Sequence, residues 1–435
     1  MARRPGVLAK IGLAGGALPT LMASVVLSAG LGCAALAGLD EDFVVGSVTG
    51  TGGSQVGGSS TTTTGTGAGV TGGTGGTAAG TGGTGGVGGA WYDSDWSYRK
   101  ELSVDHQQVA GDLTGFPLLV RLDGDSDLAA HAESGAELLF TAADGVTKLP
   151  HEIELFTSAG RVDARVLVPL LSSTSDTVIH LYYGNPSALD QQDPQAVWAS
   201  GFVGVWHLSE PSGTRRDSTS RANHVAEHAG PIATTADAIS GDATADFESS
   251  SAQHLTVSDA AQNGLDLTGP FTLTAWIQAE SQPGGWRNYL AKWAGGGDEA
   301  NSGNSYYMAE NSAGAGHRVK FAMDGAGGLT TLHSTTVLGL GVWYHVAAVY
   351  DGAQMRIYVD GVPEGSSQAR ASGARDSDTA FDIGGKSSNP AYNHDGPMDE
   401  VRAADVARSD AWILTAFRNQ AAPTTFLTIS AEQPR

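Results

Sequence analysis

The stretch WYHVAAVYDGAQMRIYVDG, residues 343–361, decides the fold. Two runs rich in Val, Ile, Tyr and Trp meet at Asp351-Gly352, a dipeptide that tolerates positive φ in a tight turn between antiparallel strands. The second run closes at another such pair, Asp360-Gly361. Side chains alternate across a strand, so Trp343, His345, Ala347 and Val349 share one face while Tyr344, Val346, Ala348 and Tyr350 share the other. Both sets are largely apolar, which places this strand inside a two-layer, sheet-on-sheet sandwich and leaves function to its loops.

Short alternating runs punctuated by Gly, Asp, Asn or Pro extend to either side. One series, residues 91–201, begins at a cluster of four aromatics, Trp91, Tyr92, Trp96 and Tyr98, and reads as a smaller β-rich domain. A second series, residues 202–435, contains the hairpin and reads as the sandwich itself. The expected fold class is therefore all-β, a β-sandwich preceded by a second, smaller β-rich domain. One helix is expected near the C-terminus, capped by Ser409 and carrying Trp412, Ile413, Ala416 and Phe417 on one stripe.

The 435 residues carry 46 acidic against 24 basic side chains, a formal net charge of -22. Such a surface repels nucleic acid and anionic lipid headgroups, so neither is an expected partner, and it suits oxygen ligation of a cation such as calcium. The N-terminus reads as an export signal over residues 1–33, with Arg3, Arg4 and Lys10 ahead of an apolar run at 11–31. The single cysteine, Cys33, follows that run in Gly30-Leu31-Gly32-Cys33-Ala34. This resembles the lipobox of bacterial lipoproteins, except that Gly30 stands where Leu is usual, and it makes Cys33 the expected lipidation site. The alternative is an incidental cysteine in a plain signal peptide. With no second cysteine, no intrachain disulfide can form. Residues 34–90 are Gly/Thr-rich, cannot bury a core and read as a disordered tether, about 35–40 Å in root-mean-square span over the part from 46 to 90. The expected location is the outer membrane or cell surface, with membrane contact through the lipid alone, or secretion.

Three blocks in the first series, WSYRKELSV (96–104), LPHEIELF (149–156) and IHLYYGNPSA (179–188), with VWHLSE (205–210) just after it, resemble the bacterial domain of unknown function 2341. That family implies no assigned activity. In the second series, ADFESSSAQHLTV (245–257), FTLTAWIQ (271–278), the 343–361 hairpin and MDEVRAADVARSDAWI (398–413) resemble a LamG-like jelly roll of the concanavalin A-like lectin/glucanase class. The resemblance implies a module for carbohydrate or envelope-protein ligands. The same scaffold also hosts polysaccharide-cleaving hydrolases and plain structural spacers.

Sugar sites stack an aromatic face on the apolar face of a pyranose beside amide and carboxylate hydrogen bonds. Trp286, Trp293 and Tyr392, in Gly/Asn-rich segments that read as loops, are with Asn301 and Asp395 the expected ligand-binding residues, and Asn288, Asp298 and Asn389 lie near them in sequence. The opposing expectation is that these tryptophans pack core or rim. Sandwiches related by the resemblance hold a structural calcium between an early loop and a late acidic residue, which points to Asp217 and Asp399 as metal ligands; otherwise Asp399 caps a turn or pairs with Arg402. Glu152 and Glu154 share a strand face as a glycosidase pair would, but the E-x-D-x-x-E pattern of the glucanases is broken by Thr157. They are expected to form a solvated strand face, with catalysis as the weaker alternative and no enzyme as the favoured reading. His207 and His345 are expected to be buried and hydrogen-bonded rather than metal-bound.

Overall fold

The computed structural model describes residues 90–282, 284–296, 301–312 and 316–435. The export signal, Cys33, Asp298 and the Gly/Thr tract up to residue 89 lie outside the described residues. In the N-terminal part, β1 (Tyr98–Val104), β3 (Leu139–Ala142), β4 (Lys148–Leu149) and β7 (Thr177–Tyr183) form one sheet in the order β1-β7-β3-β4. A second sheet orders β2 (Leu113–Leu122), β6 (Val162–Leu171) and β5 (His151–Phe156) as β2-β6-β5. Alternate residues of the two sheets, Leu102, Val104, Leu118, Val120, Val166, Ile179 and Leu181 among them, meet in one buried core.

The chain then enters the sandwich. One sheet contains β8 (Phe202–Trp206), β10 (Ala233–Thr235), β11 (Thr244–Phe247), β13 (Phe271–Gln278), β18 (Trp343–Tyr350), β19 (Gln354–Val359), β20 (Val362–Ala369) and β22 (Gly396–Ala404). The facing sheet contains β9 (Ala226–His228), β12 (His254–Val257), β14 (Trp286–Trp293), β15 (Asn304–Asn311), β16 (Arg318–Met323), β17 (Thr330–His333) and β21 (Phe381–Ile383). Jelly-roll-like crossovers make chain neighbours distant in the sheets: β22 lies between β11 and β13, and β21 between β12 and β14. The fold is the all-β sandwich expected, with its β-rich companion.

The hairpin behaves as its alternation predicts, and its second face has an unexpected neighbour. Val346, Ala348 and Tyr350 of β18 face the core between the sheets. Ala347 and Val349 instead join the core of the N-terminal part. The sheet is therefore covered on both faces, by its partner sheet and by a third layer. Asp360 and Gly361 both take positive φ, 50° and 79°, as a two-residue type I′ turn requires. Gly361 also lies against helix α1 (Asp410–Ala421), where an added Cβ would lie 2.9 Å from Leu414.

The C-terminal segment leaves the sandwich, so its expected span of 202–435 is too long. After β22, α1 packs on β2; Ser409 accepts a bond from the Trp412 amide at 3.2 Å and caps it. Asn419 on this helix accepts from the Leu119 N–H (2.7 Å) and donates to the Leu119 carbonyl (2.9 Å), closing the free edge of β2 as a neighbouring strand would. The last residues, β23 (Leu427–Ile429) and β24 (Gln433–Pro434), both pair antiparallel with β1. The sandwich is thus inserted into the smaller domain, whose sheet is completed by the chain's end.

Candidate functional site

On the outer face of the β14-β15-β16 sheet, a shallow cleft of about 200 Å³ of solvent-open space is lined by Trp286, Asn288, Trp293, Tyr307, Lys386 and Tyr392. Strand periodicity alone would put Trp286 and Trp293, an odd number of residues apart, on opposite faces. A β-bulge resolves this: Asn288 pairs with Ala309 and Leu290 with Met308, so Tyr289 is an extra residue and the parity of β14 reverses. Trp286 and Asn288 before the bulge and Trp293 after it consequently share one face. Trp293 meets Tyr307 edge-on, centroids 4.8 Å apart at 88°, while the half-buried Trp286 meets Tyr392 at 5.6 Å and 80°.

Tyr392 arrives from a separate loop. Asn389 caps the short turn before it by accepting from the Ala391 N–H, and a bridge between Asn393 and Asn288 pins the loop to β14. Asn288 donates to the Tyr392 carbonyl at 3.4 Å, and the Tyr392 hydroxyl donates to the Gly296 carbonyl at 2.5 Å. Lys386 reaches the cleft because Gly385 has no side chain: an added Cβ would lie 2.5 Å from the Asn393 Oδ1. The Lys386 ammonium donates to the Gly295 carbonyl and lies 5.2 Å from the Tyr392 ring centre. Burial pulls its pKa down to about 8, against the field of Asp382.

Of the expected ligand-binding residues, Trp286, Trp293 and Tyr392 come together and two do not. Asn301 sits in the turn before β15, where its carboxamide oxygen accepts from the Gly303 N–H at 2.9 Å. Asp395 ties loops together by accepting from the Ser249 N–H at 2.8 Å and from the Ser281 hydroxyl. Tyr307 and Lys386 were missed. The Tyr306-Tyr307 pair signals one aromatic on each face of a strand, whereas nothing local marks Lys386, which is placed by the Gly384-Gly385 backbone.

Asp217 accepts four hydrogen bonds, from the N–H groups of Val205, Thr219 and Asn223 and from the Thr219 hydroxyl, at 2.8–2.9 Å. Asp399 accepts from the N–H groups of Ile239 (2.7 Å), Ser240 (3.2 Å) and Glu400 (2.8 Å), and burial followed by the Glu400 charge pushes its carboxyl well above the usual range. Among the described residues, the sets of three groups close enough to share an ion are Asp105–His106–Asp176, Glu154–His207–Glu400 and Asp246–Glu248–Glu280, none of which includes Asp217 or Asp399.

Glu152 and Glu154 do not form a solvated strand face. The sandwich covers this face of β5, and the two carboxylates enter an ionic cluster between the two parts. Arg165 pairs with Glu154 and, at 2.9 Å, with Glu400 from β22. His207 places Nδ1 2.7 Å from Glu400 and 3.4 Å from Glu154, and Nε2 3.3 Å from Glu152. Trp198 Nε1 and the Ser218 hydroxyl each donate to Glu152 at 2.6 Å. Burial opposes charge on His207, yet Glu154, Glu400 and Glu152 outweigh it and hold the imidazole protonated well above its ordinary value. Burial likewise opposes ionisation of Glu400, but Arg165, His207 and Arg402 hold it well below the usual range. A cavity of about 540 Å³ of solvent-open space lies alongside, lined by Glu152, Glu154, His207, Glu210, Arg216 and Ser218. His345 is buried as expected, but its Nδ1 lacks the expected hydrogen bond among the described residues; burial and then Arg402 lower its pKa to about 3.

Residues 249–414 match the family model described as the concanavalin A-like lectin/glucanases superfamily. Among solved structures, the chain is similar to domain 4 of AbnA, an extracellular GH43 arabinanase of Geobacillus stearothermophilus in complex with arabinotriose. That likeness has 13% identity and a TM-score of 0.38, over 49% of this chain and 96% of that one. The heptameric SAP-like pentraxin of Limulus polyphemus is similar at 17% identity and a TM-score of 0.29, over 34% and 70%. The binding domain of Paraclostridial Mosquitocidal Protein 1 is similar at 11% identity and a TM-score of 0.39; the likeness spans 50% of this chain and about half, 52%, of that domain. No curated protein matches the sequence.

Proposed function

We propose that the chain is an exported binding protein whose sandwich holds a carbohydrate in the aromatic cleft. The observation that carries this reading is the convergence of Trp286 and Tyr392, from separate elements, over a floor of Trp293 and Tyr307 beside Asn288. Crossed aromatic faces suit the C–H face of a pyranose, and a side-chain amide suits its hydroxyls. The matched family holds lectins and glucanases alike, so the chemistry of the cleft has to choose between them. Glycoside hydrolysis usually employs two carboxyl groups about the scissile bond, and among the described residues no carboxylate lines the cleft. Glu154 and Glu400, which are close together, have side chains only 2% and 0% exposed and share Arg165. These features favour binding without turnover. In this reading the segment before the folded part supplies address and reach: Cys33 takes the lipid and the Gly/Thr tract holds the module away from the membrane.

A glycan array probed with the full chain and with Trp286→Ala and Tyr392→Ala tests the assignment. The expected result is a defined set of bound glycans, released intact and lost in both variants. Wild-type protein that binds no glycan, or binding that survives both substitutions, removes the cleft as the site.

A further inference from the structure

The cleft stands out electrostatically. In a chain of net charge -22, its described lining residues include one cation, Lys386, and no acid.

The environment of Lys386 is unlike that of Lys292, another buried lysine of the sandwich. Lys292 is fully buried and neutralised, with Asp259 at 2.6 Å and Asp266 at 3.1 Å, and it also donates to the carbonyls of Ser377 and Thr379. Lys386 is 2% exposed, and among the described residues its ammonium has a carbonyl partner, Gly295, but no carboxylate within ion-pair distance. The carboxylate whose field reaches it, Asp382, has its oxygens engaged by the Ser387 N–H (2.7 Å) and hydroxyl (2.6 Å). A desolvated ammonium without a counter-ion is costly unless something else supplies the negative charge. At Lys386 the open side is the cleft, where a ligand would lie.

We infer that the ligand of this cleft is an acidic sugar, a pyranose bearing a carboxylate or a sulfate, and that Lys386 receives its charge. The inference rests on the carbohydrate-binding reading above and narrows it. Trp286 and Tyr392 hold the ring, Asn288 meets a hydroxyl, and the acid group completes the environment of Lys386. Burial lowers the lysine's proton affinity, and an anion beside it restores that affinity, so binding and full protonation support one another.

The test uses the full chain on an array containing matched triplets: a neutral glucoside, its glucuronate counterpart and its 6-sulfate counterpart on the same backbone. At low salt, at least one acidic member of a bound triplet should bind about tenfold or more tighter than the neutral one, and the advantage should shrink in 0.5 M sodium chloride. Which acidic member wins separates carboxylate from sulfate recognition. Lys386→Met should abolish the preference for the acidic member of the triplet over its neutral partner, whereas Lys386→Arg should keep a preference. The wild-type salt dependence needs no variant and stands even if Lys386→Met misfolds. Equal affinity across the triplets overturns the acidic-sugar inference while leaving carbohydrate binding intact; binding of no glycan at all overturns both.

Discussion

Trp286 and Trp293 face the same side of one strand because Tyr289 is inserted between them as a bulge, and that single extra residue brings both indoles to one cleft. Tyr289 itself turns inward and is fully buried in the core between the sheets. The shared face of the two tryptophans is therefore set by an irregularity of the sheet and not by a loop.

The two tryptophans should respond differently to truncation. Trp286 is half-buried at the cleft wall, so Trp286→Ala should weaken glycan binding by about tenfold or more with little change in thermal midpoint. Trp293 is 2% exposed and packs on Tyr307, so Trp293→Ala should cost about 3–5 kcal/mol of stability before binding is considered. Calorimetric binding beside thermal unfolding of both variants checks the distinction.

Glu154 should prove structural. Replacing it with Gln leaves Arg165, whose side chain is fully buried, short of a counter-ion, and breaking such a pair costs about 3–5 kcal/mol. Denaturant unfolding of Glu154→Gln should show that loss, and wild-type protein incubated with β-glucan should release no reducing sugar. A wild-type hydrolysis rate that vanished in Glu152→Gln would turn the cluster into an active site.

The same cluster sets a pH dependence. His207 has a folded-state pKa raised well above about 6.5, so its stabilising contribution is complete below that pH and declines as pH rises through the folded value. Glu400 is held low, so its contribution is present at neutral pH and lost on acidification. The stability difference between wild type and His207→Gln should accordingly shrink as pH is raised from neutrality into the alkaline range. A difference that stayed constant from pH 6 to pH 10 would mean that the imidazole is not charged in the native protein.

The chain's end should be needed by its beginning. Removing residues 427–435 strips the partner from Leu102, Ser103 and Val104 of β1 and exposes a strand edge. Hydrogen exchange at those amides should rise in a chain stopped at 426, while the β13–β18 amides stay protected. Asn419→Ala should act on the other sheet by leaving the Leu119 N–H and carbonyl unpartnered, at a cost of about 2 kcal/mol or more.

Asp217 should destabilise on truncation whatever the calcium level, because Asp217→Ala removes the acceptor of four hydrogen bonds that join β8 to its following loop. Thermal midpoints of wild type, Asp217→Ala and Asp399→Ala in EDTA and in millimolar calcium measure this. A calcium-dependent rise that disappears in Asp399→Ala would assign these carboxylates to the ion instead.

Local chemistry was enough for the strands, the turns at Asp351-Gly352 and Asp360-Gly361, the Ser409 cap and the sandwich itself, because alternation, turn dihedrals and capping act over a few neighbouring residues. It also supplied three of the cleft's aromatics, since large rings in Gly- and Asn-rich surroundings are legible one residue at a time. Four features required the assembled chain. The bulge at Tyr289 reversed the parity on which any face assignment depends, and Gly385 admitted Lys386 beside Asn393. Glu152 and Glu154, read as solvated, were enclosed by Glu400 and His207 from the sandwich, and the last strands closed the first sheet. Glu154 and Glu400 are 246 positions apart in sequence yet share Arg165, and Leu102 and Ile429 are 327 apart yet are paired. Whether a carboxylate is solvated or ion-paired, and whether a strand edge is open or closed, depends on which distant segment covers it, and that is a property of the packed chain alone.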